Sequence, residues 1–317
     1  MAGGVRAGHT ESMTSESDQA VTYRAVEAAD LRTLSDILVA AVDDLGRRTN
    51  VNANSTEGDP PDVAWERRRP LWEHVHRTAE QSWLAEVDGR PVGYARTINR
   101  DGLRELTEFF VLPGSQSAGI GGELLARAFP RDGAARRVIV ATSDLRALSR
   151  YLRTGLAGRF PIYAFEGRPA PGAELPADIE AERIDGGGGL EEVAALDLEI
   201  LGHRRDVDHV WLATQRTGWL YRRAGAVVGY GYHGRWQGPI GASDEALIPA
   251  LLAHAEAAAR HAGRAEVEFE VPLVNKAAVG WLLERGYRMN PFVTFLLSDE
   301  PFGNFERYVL TSPPLFL

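Results

Sequence analysis

Residues 103–129 read Leu-Arg-Glu-Leu-Thr-Glu-Phe-Phe-Val-Leu-Pro-Gly-Ser-Gln-Ser-Ala-Gly-Ile-Gly-Gly-Glu-Leu-Leu-Ala-Arg-Ala-Phe. Residues 103–112 are rich in aromatic and β-branched side chains, which predicts a strand. Pro113-Gly114 followed by Ser-Gln-Ser predicts a turn. Leu124, Leu125 and Ala128 stand at helical spacing and Pro130 ends the run, so a helix is expected over residues 120–129. A strand, a glycine-containing loop and a helix N-terminus together make an anion site. The first backbone N–H groups of a helix have no partner within it, and the helix dipole favours negative charge there. Gly119 and Gly121 would let a ligand approach the backbone where a Cβ would block it. Read alone, the two glycines fit a phosphate cradle and a plain glycine-rich turn equally.

The longer pattern is more specific. Val111-x-Pro113-x-x-Gln116-x-x-Gly119-x-Gly121 resembles the acetyl-CoA pyrophosphate loop of the GNAT superfamily of N-acetyltransferases. It is not a dinucleotide fingerprint, because no third glycine follows at that spacing, and it has no Gly-Lys-Ser/Thr. The resemblance implies that acetyl-CoA is held by Gln116, Ser117, Ala118, Gly119, Ile120, Gly121 and Gly122. It also implies that the main chain of Phe109, Phe110 and Val111 binds the pantetheine arm and faces the thioester oxygen.

The chain has 317 residues, 44% of them hydrophobic, enough for two domains. Its net charge of -9 argues against a sequence-independent nucleic-acid surface and is compatible with amine substrates. The absence of cysteine excludes disulfides, thiolate nucleophiles and a Cys-ligated metal site, and no metal is expected. No apolar run approaches a membrane span, and residues 1–20 lack a signal peptide's apolar segment. They read as a disordered leader on a cytoplasmic protein.

Asp30 is expected to cap a helix over residues 31–45, with Gly46 following. A second amphipathic helix is expected over 62–77, and Asp88-Gly89 marks a hairpin between strands at 82–87 and 90–98. Residues 167–176, Gly-Arg-Pro-Ala-Pro-Gly-Ala-Glu-Leu-Pro, resist helix and sheet, and a linker is placed at 169–178. That gives domains at 21–168 and 179–317.

The rear half repeats the front. Trp83-Leu84…Gly89-x-x-Val92-Gly93-Tyr94 recurs as Trp219-Leu220…Gly225-x-x-Val228-Gly229-Tyr230, 136 positions on. Asp144…Ala147…Tyr151…Gly155 recurs as Asn275…Ala278…Leu282…Gly286, 131 positions on. Two matches in the same order argue for a duplicated domain. The second pattern also resembles the GNAT family. The expected fold is therefore α/β: two tandem GNAT-like domains, each a mixed, mostly antiparallel sheet flanked by helices. The rear copy has no Gln/Arg-x-x-Gly-x-Gly loop in residues 231–243, so it reads as degenerate. Its expected roles are packing, walling an acceptor site or holding a homodimer.

Acyl transfer to an amine needs a fixed donor, a base, an oxyanion donor and an acid for the leaving thiolate. Glu105 and Glu108 are the candidate bases. Three apart, they face opposite sides of a regular strand, and a bulge between them would bring them to one side. Tyr151 matches the family's tyrosine and is the candidate acid. Arg127 and Arg131 fit either nucleotide phosphates or plain surface arginines. Trp65, Trp72, Tyr163, Tyr232 and Trp236 fit either an acceptor wall or core. The cluster His203–His209 reads as solvated charge. The apolar tail, Ser312-Pro-Pro-Leu-Phe-Leu317, is expected to pack on the protein, and the Leu317 carboxylate is a further candidate for the site. Two functions follow: an acyl-CoA-dependent N-acetyltransferase acting on a small-molecule or peptide amine, or a non-catalytic acyl-CoA-binding module.

Overall fold

A computed structural model describes residues 20–52, 56, 58–116, 119–172, 174–185 and 188–317. The expected leader, apart from Ala20, and Ser117 and Ala118 of the loop lie outside these residues. The front half runs β1 (Val21–Ala25), α1 (Leu31–Thr49), α2 (Pro61–Thr78), β2 (Ala79–Val87), β3 (Arg90–Arg100), β4 (Leu103–Val111), α3 (Ile120–Ala128), β5 (Arg136–Thr142), α4 (Leu145–Arg153) and β6 (Ala157–Gly167). The rear half runs β7 (Ile179–Ile184), α5 (Leu190–Leu201), α6 (Asp206–Gln215), β8 (Thr217–Arg223), β9 (Ala226–His233), β10 (Ile240–Ala242), α7 (Ile248–His261), β11 (Val267–Pro272), α8 (Lys276–Glu284), β12 (Arg288–Ser298) and β13 (Tyr308–Val309).

The strands form an eight-stranded sheet in the order β1-β2-β3-β4-β5-β12-β6-β11 and a five-stranded sheet in the order β13-β10-β9-β8-β7. The halves do not each keep their own strands. β12 lies between β5 and β6, and β11 covers the far side of β6, so the rear half completes the front sheet. The linker marks where the chain changes sheet, yet a cut there would not separate two hydrogen-bonded units. Among the described residues, the strand pairs are antiparallel except β4 with β5.

The duplication is visible in matching local geometry. The β2–β3 turn places Asp88 and Gly89 at φ 50° and 74°, and the β8–β9 turn places Ala224 and Gly225 at 49° and 82°. Both residues of such a turn need positive φ, which matches the right-handed twist of the strands. The helices after β5 and β11 are capped alike. The Asp144 side chain accepts from Arg146 N–H, and that of Asn275 from Ala278 N–H, both at 2.9 Å.

Two local readings need correction. α1 does not stop before Gly46 but runs to Thr49, and Asn50 takes the left-handed closing position instead. Arg48 bonds back to Asp44 one turn earlier, which helps to offset the ~1 kcal/mol that a mid-helix glycine costs. Asp30 makes no side-chain cap bond to α1. Its carboxylate accepts from Glu27 N–H and pairs with Arg24.

Candidate active site

β4 and β5 are paired only from Leu103↔Arg136 to Glu105↔Val138, and beyond that they diverge. Ile120, Leu124 and Ala128 bury one face of α3 in the core below, fixing the helix start at the mouth of the gap. Leu112 N–H donates to Val92 on β3. Alternation along the strand then turns the N–H groups of Phe109 and Val111 away from β3, toward the gap. The Val111 carbonyl points the same way and accepts from the Gln116 side chain at 3.1 Å. Gln116 thereby ties the loop to the end of the strand.

The gap is a cavity of about 360 Å³, lined by Phe109, Phe110, Val111, Gln116, Gly121 and Tyr151 together with residues of α1, β5 and α4. Gly119, at φ 75°, forms the left-handed entry to α3. A Cβ on Gly121 would lie 2.8 Å from Arg150 Nη1 and 3.1 Å from Phe109 Cζ, so only glycine keeps this approach open. Gly122 is exposed and has free space around it. Arg150 has no ion-pair partner among the described residues, whereas Arg48 and Arg146 on the same lining both pair with Asp144. The sequence left Arg127 and Arg131 between nucleotide phosphates and plain surface arginines and did not single out Arg150. Arg127 lies over the rings of Tyr23 and Trp83, and Arg131 donates to the Thr154 carbonyl. The missed signal is that Arg146 and Arg150 are one helical turn apart on the helix of Tyr151.

Tyr151 is buried, with its ring 6.0 Å from that of Phe109. Burial, with a smaller contribution from Asp144, raises its pKa above the ordinary 10.0, so the phenol stays protonated.

A second cavity, of about 220 Å³, lies on the α2 side of β4 and is lined by Leu71, Trp72, Arg96, Glu108, Phe110 and Leu315 among others. Thr107 and Phe110 line both cavities. Thr107 is the extra residue of a bulge: Glu108 pairs with Arg96 and Leu106 with Thr97. The bulge puts Glu105 and Glu108 on one face of the strand. Glu108 is buried and paired with Arg96, whose guanidinium lies 4.7 Å from the centre of the Trp72 ring. Burial raises the Glu108 pKa, and Arg96 opposes that only in part. A carboxylate with a raised pKa is a stronger base at neutral pH. Trp72 therefore walls this cavity, and Trp65 lies behind it with its ring tilted by 47° and 6.5 Å away. Tyr163 packs in the rear core, and Tyr232 bonds to His209.

Glu105 is placed differently. It is buried, lines neither cavity, and accepts from Leu317 N–H at 2.7 Å. Burial, then Asp208, push its carboxyl up to about 8, so it is largely neutral near pH 7 and ill suited to act as a base. The tail packs on the protein: Phe316 is buried against Val75 and Ile98, and Leu317 lines neither cavity. The unfolded chain releases the Glu105 proton near 4.5 and the folded chain near 8, so folding binds a proton between them. Stability is then expected to fall as pH rises through that window. Glu105→Gln keeps an acceptor for Leu317 and should flatten the slope. Melting temperatures of both proteins at about pH 5 and pH 8 test this, and parallel profiles would refute it.

The cluster His203–His209 is not solvated. Asp208 is buried between His74, at 2.7 Å, and Arg100, at 2.6 Å. Arg205 is buried against Asp197 and the Phe316 carbonyl, and His209 Nε2 donates to the Asp197 carboxylate at 2.6 Å. These partners come from α2, β3, α5 and the tail, so the cluster joins the two halves beneath Glu105.

Residues 47–156 match the sequence profile of the acetyltransferase (GNAT) family. That segment is a GNAT domain. Three solved structures extend the likeness to nearly the whole chain. A candidate acetyltransferase of Pyrococcus horikoshii superposes with a TM-score of 0.70 at 16% identity, over 95% of this chain and 97% of that one. A GCN5-related N-acetyltransferase of Sphaerobacter thermophilus gives 0.58 at 20%, over 90% and 98%. A tandem GNAT protein from the clavulanic acid biosynthesis pathway gives 0.56 at 17%, over 89% and 99%. At these identities the likeness is one of fold, and that fold is the tandem GNAT arrangement. No curated protein matches the chain.

The rear GNAT-like copy is filled where the front one is open. β10 pairs with β13, and β13 continues through Leu310 to a bridge with Glu270 of β11. Asn275 donates to the Tyr308 carbonyl and fixes that insertion. Leu251 sits where a Cβ on Gly229 would fall, and Leu282 replaces the tyrosine within the core. The rear gap is thus plugged by strand and side chains.

Proposed function

We propose that the protein is an N-acetyltransferase that moves an acetyl group from acetyl-CoA to a primary amine by direct attack. The observation that carries this reading is the pair of cavities that meet at Thr107 and Phe110, one opening on the glycine loop and the other on Glu108. The residues present suit acetyl-CoA. The main-chain amides of Gly119, Ile120 and Gly121 at the start of α3 suit a diphosphate, Arg150 adds a cation with no ion-pair partner among the described residues, and the gap-facing amides of Phe109 and Val111 suit a pantetheine amide and a thioester oxygen. Acetyl-CoA supplies the activated acyl group. Glu108 takes the proton from the attacking amine, directly or through one water, and the Tyr151 hydroxyl donates a proton to the departing sulfur. The alternative of a non-catalytic acyl-CoA-binding module has no observation in its favour.

Calorimetry with acetyl-CoA tests the donor half. Gly122 can accept a side chain without strain, so Gly122→Glu should fold normally while setting a carboxylate against the diphosphate. Affinity is expected to fall at least about tenfold, or ~1.4 kcal/mol. Unchanged affinity in the variant would remove the loop assignment.

A further inference from the structure

Beside the Glu108 cavity lies a third one of about 190 Å³, walled by Leu71, Trp211, Arg216, Trp236, Pro313 and Phe316 among others. Leu71 and Pro313 line both, so the two cavities adjoin between the halves. Arg216 follows α6 directly. Its Nη1 donates to the carbonyls of Gln237, at 2.9 Å, and Gly238, and its Nη2 donates to that of Ser312 at 2.8 Å. A guanidinium has five N–H donors, so two remain. No carboxylate pairs with it among the described residues, whereas Arg67 and Arg235 on the same wall turn to Asp59. Burial draws the Arg216 pKa down, and only Tyr308 opposes that. A cation placed in a cavity without counter-charge carries a desolvation cost that hydrogen bonds to carbonyls offset only in part and that an anionic ligand would relieve.

We propose that this cavity binds a carboxylate of the acceptor through Arg216, so that the acceptor is an amine that also carries a carboxylate. This deepens the acyl-transfer reading of the Glu108 cavity and rests on it. Two free N–H donors suit the two oxygens of a planar carboxylate. Trp211, Trp236 and Phe316 supply apolar faces for the body of the molecule. Arg67 and Pro70 of α2 line this cavity, while Arg68 and Trp72 line that of Glu108. The two cavities therefore lie against adjacent faces of α2 and meet at Leu71 and Pro313. A short peptide, or an amino acid with its amine at the end of a side chain, holds its amine far enough from its carboxylate to occupy both.

The test compares glycylphenylalanine with its C-terminal amide, and lysine with lysinamide, on the full-length protein saturated with CoA. Binding is read by calorimetry and thiol release is measured in parallel with acetyl-CoA. Each acid is expected to bind at least about tenfold tighter than its amide. Arg216→Gln should abolish that ratio without weakening the amides, and Arg216→Lys should restore part of it. Equal affinity of acid and amide in the wild-type protein, or binding of neither, overturns the proposal. That comparison needs no variant and stands even if Arg216→Gln does not fold. Discrimination without thiol release keeps the carboxylate site and removes the acyltransferase reading; thiol release indifferent to the carboxylate does the reverse.

Discussion

Glu108→Gln is expected to lower kcat by about 10²–10⁴-fold, the usual range for a lost general base, with little change in acetyl-CoA affinity. The amide is nearly isosteric, so it preserves the wall of the cavity that Glu108 shares with Trp72 and Phe110. What it loses is the ability to take a proton. It also leaves Arg96 without its carboxylate, although the stack on Trp72 and the bond to the Trp72 carbonyl remain. Glu105→Gln is the matched control. Glu105 is sealed beneath the tail and carries its proton near neutral pH, so kcat should be nearly unchanged. Steady-state kinetics of both variants with one amine decide the matter. An unaffected kcat in Glu108→Gln, or a loss confined to Glu105→Gln, would overturn the assignment.

Asp197→Ala is expected to destabilise the fold by about 3–5 kcal/mol, because it strands a buried guanidinium. Asp197 accepts from Arg205 Nε at 2.5 Å, meets His209 at 2.6 Å, and takes the Tyr230 hydroxyl hydrogen bond as well. Burial alone would raise its carboxyl, but Arg205 and His209 outweigh that and hold it below the ordinary 3.8. Its contribution is therefore fully present above that pH and shrinks as pH falls through the folded-state value. Arg205 also donates to the Phe316 carbonyl, so the variant should loosen the tail that walls the acceptor side. Denaturant unfolding at neutral pH measures the loss, and a loss below about 1 kcal/mol would show that the cluster relaxes without cost.

The donor side of the site was legible because its parts are local. A strand, a turn with glycines, a helix start and a tyrosine one helix later all lie within residues 103–151, and each carries a residue-type requirement. The acceptor side was not legible. Glu105 and Glu108 look alike in sequence, and only the bulge at Thr107 and the tail laid over Glu105 separate them. The cluster His203–His209 has the composition of a solvated surface. It is buried because its partners, His74, Arg100, Asp197 and Phe316, are distant in sequence and their number and sign cancel the charge.

By itself the sequence determined the local elements, the duplication and the retention of the glycine loop in the front copy alone, since periodicity, turn chemistry and spacing act over a few residues. It took the tertiary structure to bring β12 of the rear half into the front sheet, to plug the rear gap with β13, and to set Arg216, which pairs with no carboxylate among the described residues, in a cavity that adjoins the one lined by Glu108. Those outcomes depend on which surfaces meet, and strand exchange between two similar halves leaves each strand's own pattern unchanged.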